Sequence, residues 1–432
     1  MEQILSLAKK HADEAEVFLN SFERTRVVFE ANQLKQLTTT QASLVTLRLV
    51  KDGRIGFSVS TGLHDREAIV NRALNAAHFG PPTTFDLPSK STYPQIEVYD
   101  PDVEKVPVED MVNLGGEFIN QVREHTPELV CEARIGKTTS ELRVINSRGG
   151  DAGFKRSHFG IQVEGVLIRN MDMLFVGDAD SSCHPITKFQ GGVQEITRQL
   201  EWAKRQASVP SGRLPVILTP VGVASALVPA LCKPFNGSTV VQGASLLQNR
   251  QGEQVFENSF SLHDDATVPF HPRSRPCDDE GIPSQRTTLV EQGVVGNFLY
   301  DLHTAGLANT QSTGNGKREG GVPSPKESAL IIDEGKTSFE DMLMDMQEGL
   351  VVEMLMGASQ TNILGGDFSG NVLLGYRVEK GEIVGRVKNV VLSGNIYSAL
   401  SDVVIGRDSR WLGGAVCTPS LYLSNLVVVS RE

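Results

Sequence analysis

The sequence shows no long apolar run, no closely spaced pair of cysteines and no pattern typical of a signal peptide. No apolar stretch approaches the roughly 18 residues that cross a bilayer as a helix, so no membrane span is predicted. The first residues show no basic segment followed by an apolar core, so no signal peptide is predicted. The five cysteines form no CxxC pair; they are Cys131, Cys183, Cys232, Cys277 and Cys417. Scattered, odd-numbered thiols are typical of a reducing compartment, and we therefore expect a cytoplasmic protein.

Positive charge is also scarce. The chain holds 41 Lys and Arg residues against 52 Asp and Glu residues, a formal net charge of −11. The basic clusters are short: Lys9-Lys10, Lys204-Arg205 and Lys317-Arg318. Because neutralising a phosphate backbone requires many clustered cations, direct binding to nucleic acid is not expected. Aromatic residues make up only 6% of the chain, whereas 41 glycines indicate many turns, as in a strand-rich fold.

The first half of the chain mixes helical and strand-like patterns. Helical patterns predict helices over residues 2–12, 65–78 and 108–125, the last interrupted at Gly115-Gly116. Between the first two helices, Lys51-Asp52-Gly53 joins two segments in which apolar and polar residues alternate, as in strands. This sequence predicts a tight hairpin, because Asp-Gly suits the turn that matches the twist of paired strands.

Pro210-Ser211-Gly212 interrupts these patterns and marks the predicted domain boundary. The length of the chain is consistent with at least two domains. We predict an N-terminal α+β (α/β-type) domain over residues 1–209 and a β-rich, barrel- or sandwich-like C-terminal domain over residues 210–432. A lone late helix is predicted at Ser338–Gln347, with Ser338 as its N-cap. The expected fold class is therefore α+β.

The most distinctive stretch runs from Cys277 to Arg318. It opens with an acidic turn, Cys277-Asp278-Asp279-Glu280-Gly281-Ile282-Pro283, and closes with a basic turn, Ser312-Thr313-Gly314-Asn315-Gly316-Lys317-Arg318. A hairpin is predicted between them, with strands at Thr287–Val290 and Val294–Leu299. Opposite charges held at turns on either side of a hairpin indicate a built site, although ordinary polar loops are the alternative interpretation.

The charged residues of these turns are the candidate cleft and structural residues. We expect the carboxylates to pair with Arg286 or Arg318 and so to pin the hairpin. Three adjacent carboxylates are also typical of a solvated turn, and binding of a divalent cation is a weaker alternative. The full candidate set is Asp278, Asp279, Glu280, Arg286, Asn315, Lys317 and Arg318.

The order of these motifs resembles the TldD/PmbA family, whose members are also called modulators of DNA gyrase. The Asp-Asp-Glu-Gly turn, the hairpin and the Ser-Thr-Gly-Asn-Gly-Lys-Arg turn carry the resemblance. It covers most of residues 210–432 and, more loosely, the N-terminal half. Further matching segments are Met342–Leu355, Gly365–Gly370, Val390–Asn395 and Cys417–Val429, and the segments Gly243–Leu247 and Gly252–Phe256 resemble the PmbA (TldE) branch in particular.

The resemblance implies where a metal would be bound in related chains. In the TldD branch a helix carries a His-Glu-x-x-x-His motif, in which two imidazoles hold zinc and the carboxylate activates water. The corresponding segment here, Thr219–Lys233, is predicted to be helical and contains neither His nor Glu. The motif would fall near Val228, Pro229 and Lys233, so no cofactor is expected in this chain and zinc is expected in a partner subunit.

Two other parts of the chain offer metal-binding side chains. His263, Asp264 and His271 are close in sequence, and a hydrolytic zinc site requires about three protein ligands. A polar loop is the favoured interpretation of that segment. The zinc branch of the family also uses a Cys ligand near its C-terminus, and Cys417 is the nearest candidate, but a buried structural thiol is favoured there.

The resemblance implies a PmbA/TldE-type protein that forms a dimer with a TldD-type zinc-bearing relative or with itself. Such a pair would be a protease for flexible or unfolded peptides, in which this chain supplies cleft walls and peptide contacts and has no catalytic activity alone. Two alternatives stay open. One is a non-enzymatic homodimer that binds peptides or a partner, and the other is a free-standing metallopeptidase with an atypical site.

Overall fold

A six-stranded antiparallel sheet dominates the first half of the chain in the computed structural model, which describes residues 1–170 and 172–431. Its strands are β1 (Glu14–Glu30), β2 (Gln33–Lys51), β3 (Arg54–Ser60), β4 (Val130–Asn146), β5 (Asp151–Arg169) and β6 (Asp172–Ser182). They lie in the order β3-β2-β1-β4-β5-β6, so β6 forms one edge. The predicted hairpin is confirmed: Asp52 and Gly53 both have positive φ, at 49° and 70°, and connect β2 to β3.

Five helices pack against this sheet or connect its strands. They are α1 (Glu2–Ala8), α2 (Arg66–Ala77), α3 (Asp102–Lys105), α4 (Val108–His125) and α5 (Gln190–Trp202). The predicted helices over 65–78 and 108–125 are confirmed, because apolar residues at helical spacing bury one face of each. The first helix ends at Ala8, earlier than the predicted residue 12, and its C-cap is Lys9.

The second half is rich in short strands. They are β7 (Gly212–Leu218), β8 (Leu262–Asp265), β9 (Arg286–Glu291), β10 (Val294–Val295), β11 (Gly316–Arg318), β12 (Pro323–Pro325), β13 (Leu330–Ile332), β14 (Glu348–Met356), β15 (Asp367–Glu379), β16 (Glu382–Arg386), β17 (Val390–Asn395), β18 (Val403–Ile405), β19 (Arg410–Leu412), β20 (Val416–Thr418) and β21 (Leu421–Ser430). One sheet runs β10-β9-β8-β13-β20-β19. Another runs β14-β7-β21-β17-β15-β16, and the pairing of β14 with β15 closes it into a barrel-like ring. The predicted α+β fold class with a β-rich second half is confirmed.

Six short helices interrupt these strands. They are α6 (Pro220–Ala226), α7 (Val228–Cys232), α8 (Gly237–Val241), α9 (Leu302–Leu307), α10 (Phe339–Met346) and α11 (Ile396–Ala399). The prediction of α10 is confirmed, and the Ser338 side chain accepts from the Asp341 N–H at 3.0 Å as its N-cap. The expectation that this is a lone late helix is wrong. Helices α9 and α11 have only six and four residues, too few to show a periodic apolar pattern.

A shared hydrophobic core joins the two halves. Apolar residues of α4 and β5, including Phe118 and Ile161, belong to the same buried cluster as Met342, Val351 and Tyr376 of the second half. The division at residues 209 and 210 stays a prediction, since this core packs across it. Within the described residues, none of the helices has the length and apolarity required for crossing a membrane.

Candidate functional site

The acidic turn is buried, not solvated. Asp278, Asp279 and Glu280 are each 3% exposed or less. Asp278 Oδ1 accepts from the backbone N–H groups of Glu280 and Ile282, both at 2.9 Å. Its Oδ2 accepts from the N–H of Gly316 at 2.8 Å. A single carboxylate therefore both shapes its own turn and fastens it to the basic turn.

Asp279 completes the link between the two turns. Its Oδ2 accepts from the backbone N–H of Arg318 at 2.9 Å and lies 3.1 Å from the Lys317 ammonium. The Arg318 Nε donates to the Asp279 carbonyl at 3.1 Å. Of the two predicted arginine partners, Arg318 thus contacts the acidic turn. Arg286 does not, because at the start of β9 it is half-exposed and its guanidinium lies 3.9 Å from Asp333.

The hairpin between the turns is present. Strands β9 and β10 pair around Gln292 and Gly293, whose φ angles of 47° and 79° suit a tight turn. The second strand is shorter than predicted, since regular pairing includes only Val294 and Val295.

Glu280 connects the acidic turn to the N-terminal sheet. Its Oε1 accepts from Arg48 of β2, and its Oε2 accepts from the Leu302 N–H at 2.8 Å. Arg48 also donates to Glu16 of β1 at 3.0 Å, and Glu16 in turn accepts from Arg318. Two carboxylates and two guanidiniums therefore form one buried network between the halves of the chain. Burial raises the pKa of Glu280, and the opposite charge of Arg48 works against that rise.

Sequence analysis missed Glu16 and Arg48. Both lie in long strands of the N-terminal sheet, more than 230 positions from Glu280 or Arg318. The only local signal is a charged residue inside an apolar run, as in Leu47-Arg48-Leu49. Since buried charges are stable only when paired, such a residue indicates a distant partner without identifying it.

Asn315 binds a further buried carboxylate. Its Nδ2 donates to Asp264 Oδ2 at 2.7 Å and to the Lys326 carbonyl at 3.1 Å. Asp264 Oδ1 accepts from the Ser328 N–H at 2.6 Å. Burial raises the pKa of Asp264 to about 6, although both hydrogen bonds favour its ionised form. The side chain of Asn315 therefore stabilises the loop around β11, and it is almost fully buried.

His263, Asp264 and His271 do not converge. The His263 Nε2 lies 3.1 Å from Asp333 Oδ2, whereas Asp264, as the next residue on β8, points to the opposite face. The His271 ring packs on Trp411 with 3.9 Å between centroids. Across residues 1–170 and 172–431, no three His, Cys, Asp or Glu side chains are placed to hold a metal ion.

Cys417 lies in β20, between β13 and β19. Its thiol is partly buried, and burial raises its pKa to about 11, which disfavours the thiolate that a metal requires. This position fits a structural thiol better than a ligand.

The segment from Thr219 to Lys233 forms two short helices instead of the single helix predicted. Helices α6 and α7 meet at Leu227, and a 3₁₀ turn begins at Lys233. Pro229 explains the interruption, because it has no N–H to donate to the carbonyl four residues earlier. Val228 and Pro229 offer no metal-binding atom, and the Lys233 ammonium would first have to lose its proton.

Helix α6 forms one wall of an apolar groove with a volume of about 610 Å³. Val221, Ala224 and Ser225 of α6 line it, opposite the edge strand β6 at Gly177–Ala179. Met354–Met356 of β14 line the groove between them. The groove thus lies between an edge strand of one half and a helix of the other, and its apolar lining can receive side chains of an extended polypeptide.

Side-chain hydrogen bonds fix the backbone of both walls. The Gln199 amide bonds to the N–H and the C=O of Gly177, at 2.9 and 3.1 Å. On the other side, Ser225 Oγ accepts from the Leu355 N–H at 3.1 Å. Arg410, next to the groove, pairs with Asp178 of β6. These contacts order the backbone of both walls.

Comparison with known proteins agrees with this architecture. Residues 211–430 match the PmbA/TldA metallopeptidase C-terminal domain, and residues 15–78 match PmbA/TldA metallopeptidase domain 1. An uncharacterized protein of Methanocaldococcus jannaschii is 26% identical over 437 residues, covering 99% of each chain. A metalloprotease of Archaeoglobus fulgidus is 31% identical over half of each chain, and a TldD homolog of Haemophilus influenzae is 28% identical over 52% of this chain and 47% of its own.

Solved structures show the same fold. TldE from Thermococcus kodakarensis superimposes with a TM-score of 0.90 over the whole of both chains, at 23% identity. A putative modulator of a DNA gyrase from Thermotoga maritima superimposes with a TM-score of 0.89 over 99% of each chain, at 22% identity. The resemblance seen in the sequence is therefore confirmed at the level of the family. This chain belongs to the metalloprotease-like PmbA/TldD family.

Proposed function

We propose that this chain is the PmbA/TldE-type, non-metal subunit of a protease whose zinc is held by a TldD-type relative. The observation that carries the proposal is the chemistry of the segment Thr219–Lys233, whose first helix, α6, lines the groove. The resemblance in sequence places the His-Glu-x-x-x-His motif of the zinc branch near Val228, Pro229 and Lys233 of this chain. None of the three can replace an imidazole ligand or a general base at neutral pH.

The groove supplies the contacts with an extended peptide. Strand β6 forms one wall of the groove, but the N–H and C=O of Gly177 are already bonded to Gln199, so the peptide is held mainly by its apolar side chains, which enter the groove. The α6 wall, with Val221 and Ala224, presents small apolar side chains to that peptide. Flexible or unfolded polypeptides fit this site, because their apolar side chains are exposed and can enter the groove.

The acidic and basic turns have a structural role in this proposal. Asp278, Asp279 and Glu280 are closed off from solvent, and their charges are compensated by Arg48, Arg318 and backbone N–H groups. A substrate that approached them would have to break buried ion pairs. The turns therefore fix the two halves relative to each other and set the position of the groove.

The proposal also includes the partner of this chain and the compartment in which it works. The protein works in the cytoplasm as a dimer, with a TldD-type relative as the partner that completes the protease, and its substrates are peptides and not nucleic acids. Its five cysteines are present as free thiols in the described structure, as a reducing compartment would favour.

A groove-filling substitution tests the proposal. Ala224→Tyr places a large ring in the groove, and we expect it to lower peptide hydrolysis by the mixture of this chain and its zinc-bearing relative by about tenfold or more. Ala76→Tyr, on the exposed face of α2, is the matched control and should leave the rate unchanged. Equal rates for both variants would show that the groove takes no part in catalysis.

A further inference from the structure

A second cavity, of about 300 Å³, lies beside the groove and is lined mainly by cations. Gly413 lines both the cavity and the groove, so the two are adjacent. The cavity opens between the N-terminal sheet and the loops that precede and follow the acidic turn. Its cationic lining residues are Arg24, Arg156, Arg273, Arg275, Lys317 and Lys326.

The strand register explains why two of these arginines face the same space. Arg24 of β1 lies opposite Thr138 of β4, and Thr138 lies opposite His158 of β5. Two residues earlier on β5, Arg156 lies opposite Ser140, so its side chain shares the sheet face of His158. The sheet therefore presents a positively charged patch to the cavity by alternation alone.

The two lysines are already paired, whereas the four arginines are not. Lys317 lies 3.1 Å from Asp279, and Lys326 pairs with Glu319. Among the residues that the structure describes, no carboxylate lies within 4.0 Å of the guanidinium of Arg24, Arg156, Arg273 or Arg275. Only Glu327 adds a further carboxylate to the lining.

The hydrogen bonds of the arginines are weak or incomplete. Arg24 donates to Thr138 at 3.3 Å, and Arg156 donates to the Pro272 carbonyl at 3.5 Å. Arg275, which is 5% exposed, donates to Ser328 and to the Gly314 carbonyl, yet its Nε has no partner among the described residues. A buried guanidinium with an unused donor costs free energy that a bound acceptor would recover.

The concentrated positive charge shifts the pKa values of groups in and around the cavity. Burial, together with the charges of Arg156, Arg24 and Arg273, lowers the pKa of His158 to about 4. Burial lowers the pKa of Arg156 as well; the charge of Asp279 works against this shift, and Arg275 and Arg273 add to it. Six cations of the lining face two carboxylates, Glu319 and Glu327, in a partly dehydrated space, which is the electrostatic setting of an anion site.

We propose that this cavity binds a carboxylate of the peptide in the adjacent groove, an inference that rests on the proposed function. The planar guanidinium fork matches a carboxylate with two parallel hydrogen bonds, which explains the use of arginine in preference to lysine. The carboxylate can be the C-terminus of the peptide or an acidic side chain. In either case the cavity fixes the position of the peptide along the groove and selects peptides by charge.

Fluorescence anisotropy of this chain alone, with labelled peptides of one apolar sequence, tests the inference. One peptide ends in a free carboxylate, a second is amidated, and a third is amidated but carries a Glu side chain. We expect the amidated peptide to bind at least about tenfold more weakly than the best carboxylate peptide. Whichever carboxylate peptide binds more tightly identifies the source of the anion.

Substitution of individual arginines tests whether the cavity is where the carboxylate binds. Arg273→Gln, at an exposed position that tolerates substitution, and Arg156→Gln should each reduce binding of the preferred peptide by about tenfold and leave the amidated peptide unaffected. Arg72→Gln, exposed on α2, is the matched control. Binding of all three peptides with equal affinity would overturn the inference and leave the proposed peptide groove intact. Binding of none of them would contradict both.

Discussion

Glu16 and Arg318 are 302 positions apart in the chain, yet they form a buried ion pair. Glu16 is fully buried in β1 of the N-terminal sheet, and Arg318 ends β11, next to the acidic turn. The same carboxylate also accepts from Arg48, which in turn holds Glu280. The two halves of the molecule are thus joined by charge as well as by their shared apolar core, and the groove lies along the same junction.

Neutralising Glu16 should therefore destabilise the whole chain. Glu16→Gln removes the negative charge that compensates Arg48 and Arg318, and leaving a buried charge without its partner costs about 3–5 kcal/mol. We expect a loss of that size in the free energy of unfolding, measured by urea denaturation at pH 7. Glu30→Gln, at the exposed end of the same strand, is the control and should change stability by less than about 0.5 kcal/mol. A loss below 1 kcal/mol (about the value of a surface pair) for Glu16→Gln would refute this description of the junction.

Gly316 allows the acidic turn to approach the basic turn closely. A Cβ at this position would contact Glu280 Oε2 and lie 2.9 Å from Asp278 Oδ2. Gly316→Ala should therefore lower the free energy of unfolding by about 1–3 kcal/mol, as expected for overpacking. Gly116→Ala, inside α4 where a Cβ meets no atom within 4 Å, should instead stabilise the chain by about 0.5–1 kcal/mol. Equal effects of the two changes would contradict the tight contact between the turns.

His271 should make the chain sensitive to acid. Burial lowers its pKa to about 4, aided by the charge of Arg273, whereas the unfolded chain retains an ordinary value of about 6.5. At pH values between these two pKa values, the unfolded chain binds more protons than the folded one. The free energy of unfolding therefore rises with pH in this range and falls on acidification. From pH 7 to pH 5 the loss due to this residue is about 2 kcal/mol.

Urea denaturation of His271→Phe at pH 7 and pH 5 measures this contribution. The phenyl ring keeps the packing on Trp411 but does not titrate, so the variant should lose about 2 kcal/mol less than the parent protein on acidification. Between pH 7 and pH 8 the two proteins should show the same pH dependence. An unchanged acid sensitivity of the variant would show that His271 is not buried in its neutral form.

Local patterns in the sequence predicted elements that depend on local interactions. The bounds of helix α4 are predicted to the residue, because Met111, Phe118 and Val122 are spaced to bury one face of a helix. The predicted interruption at Gly115-Gly116 is wrong, since the helix runs through both glycines. The Asp52-Gly53 hairpin is equally local, since its turn geometry is determined by the two residues themselves. The family motifs also identified the fold without any knowledge of contacts.

Long-range compensation of charge could not be predicted in the same way. The residues around Asp278 are those of an ordinary polar turn, and their burial depends on partners that lie far away in the chain, such as Arg48. The groove presents a similar case, because it combines β6 of one half with α6 and β14 of the other. Such sites depend on how the halves pack, which no window of neighbouring residues specifies.

The peptidase activity of purified proteins tests the central claim most directly. An unfolded peptide substrate is incubated with this chain alone, with its zinc-bearing relative alone, and with an equimolar mixture, and the zinc content of each protein is measured. We expect hydrolysis that requires the relative, is highest in the mixture and stops when a chelator is added, with no zinc bound to this chain. Chelator-sensitive hydrolysis by this chain alone, with stoichiometric zinc that is lost on His263→Ala, would contradict the account.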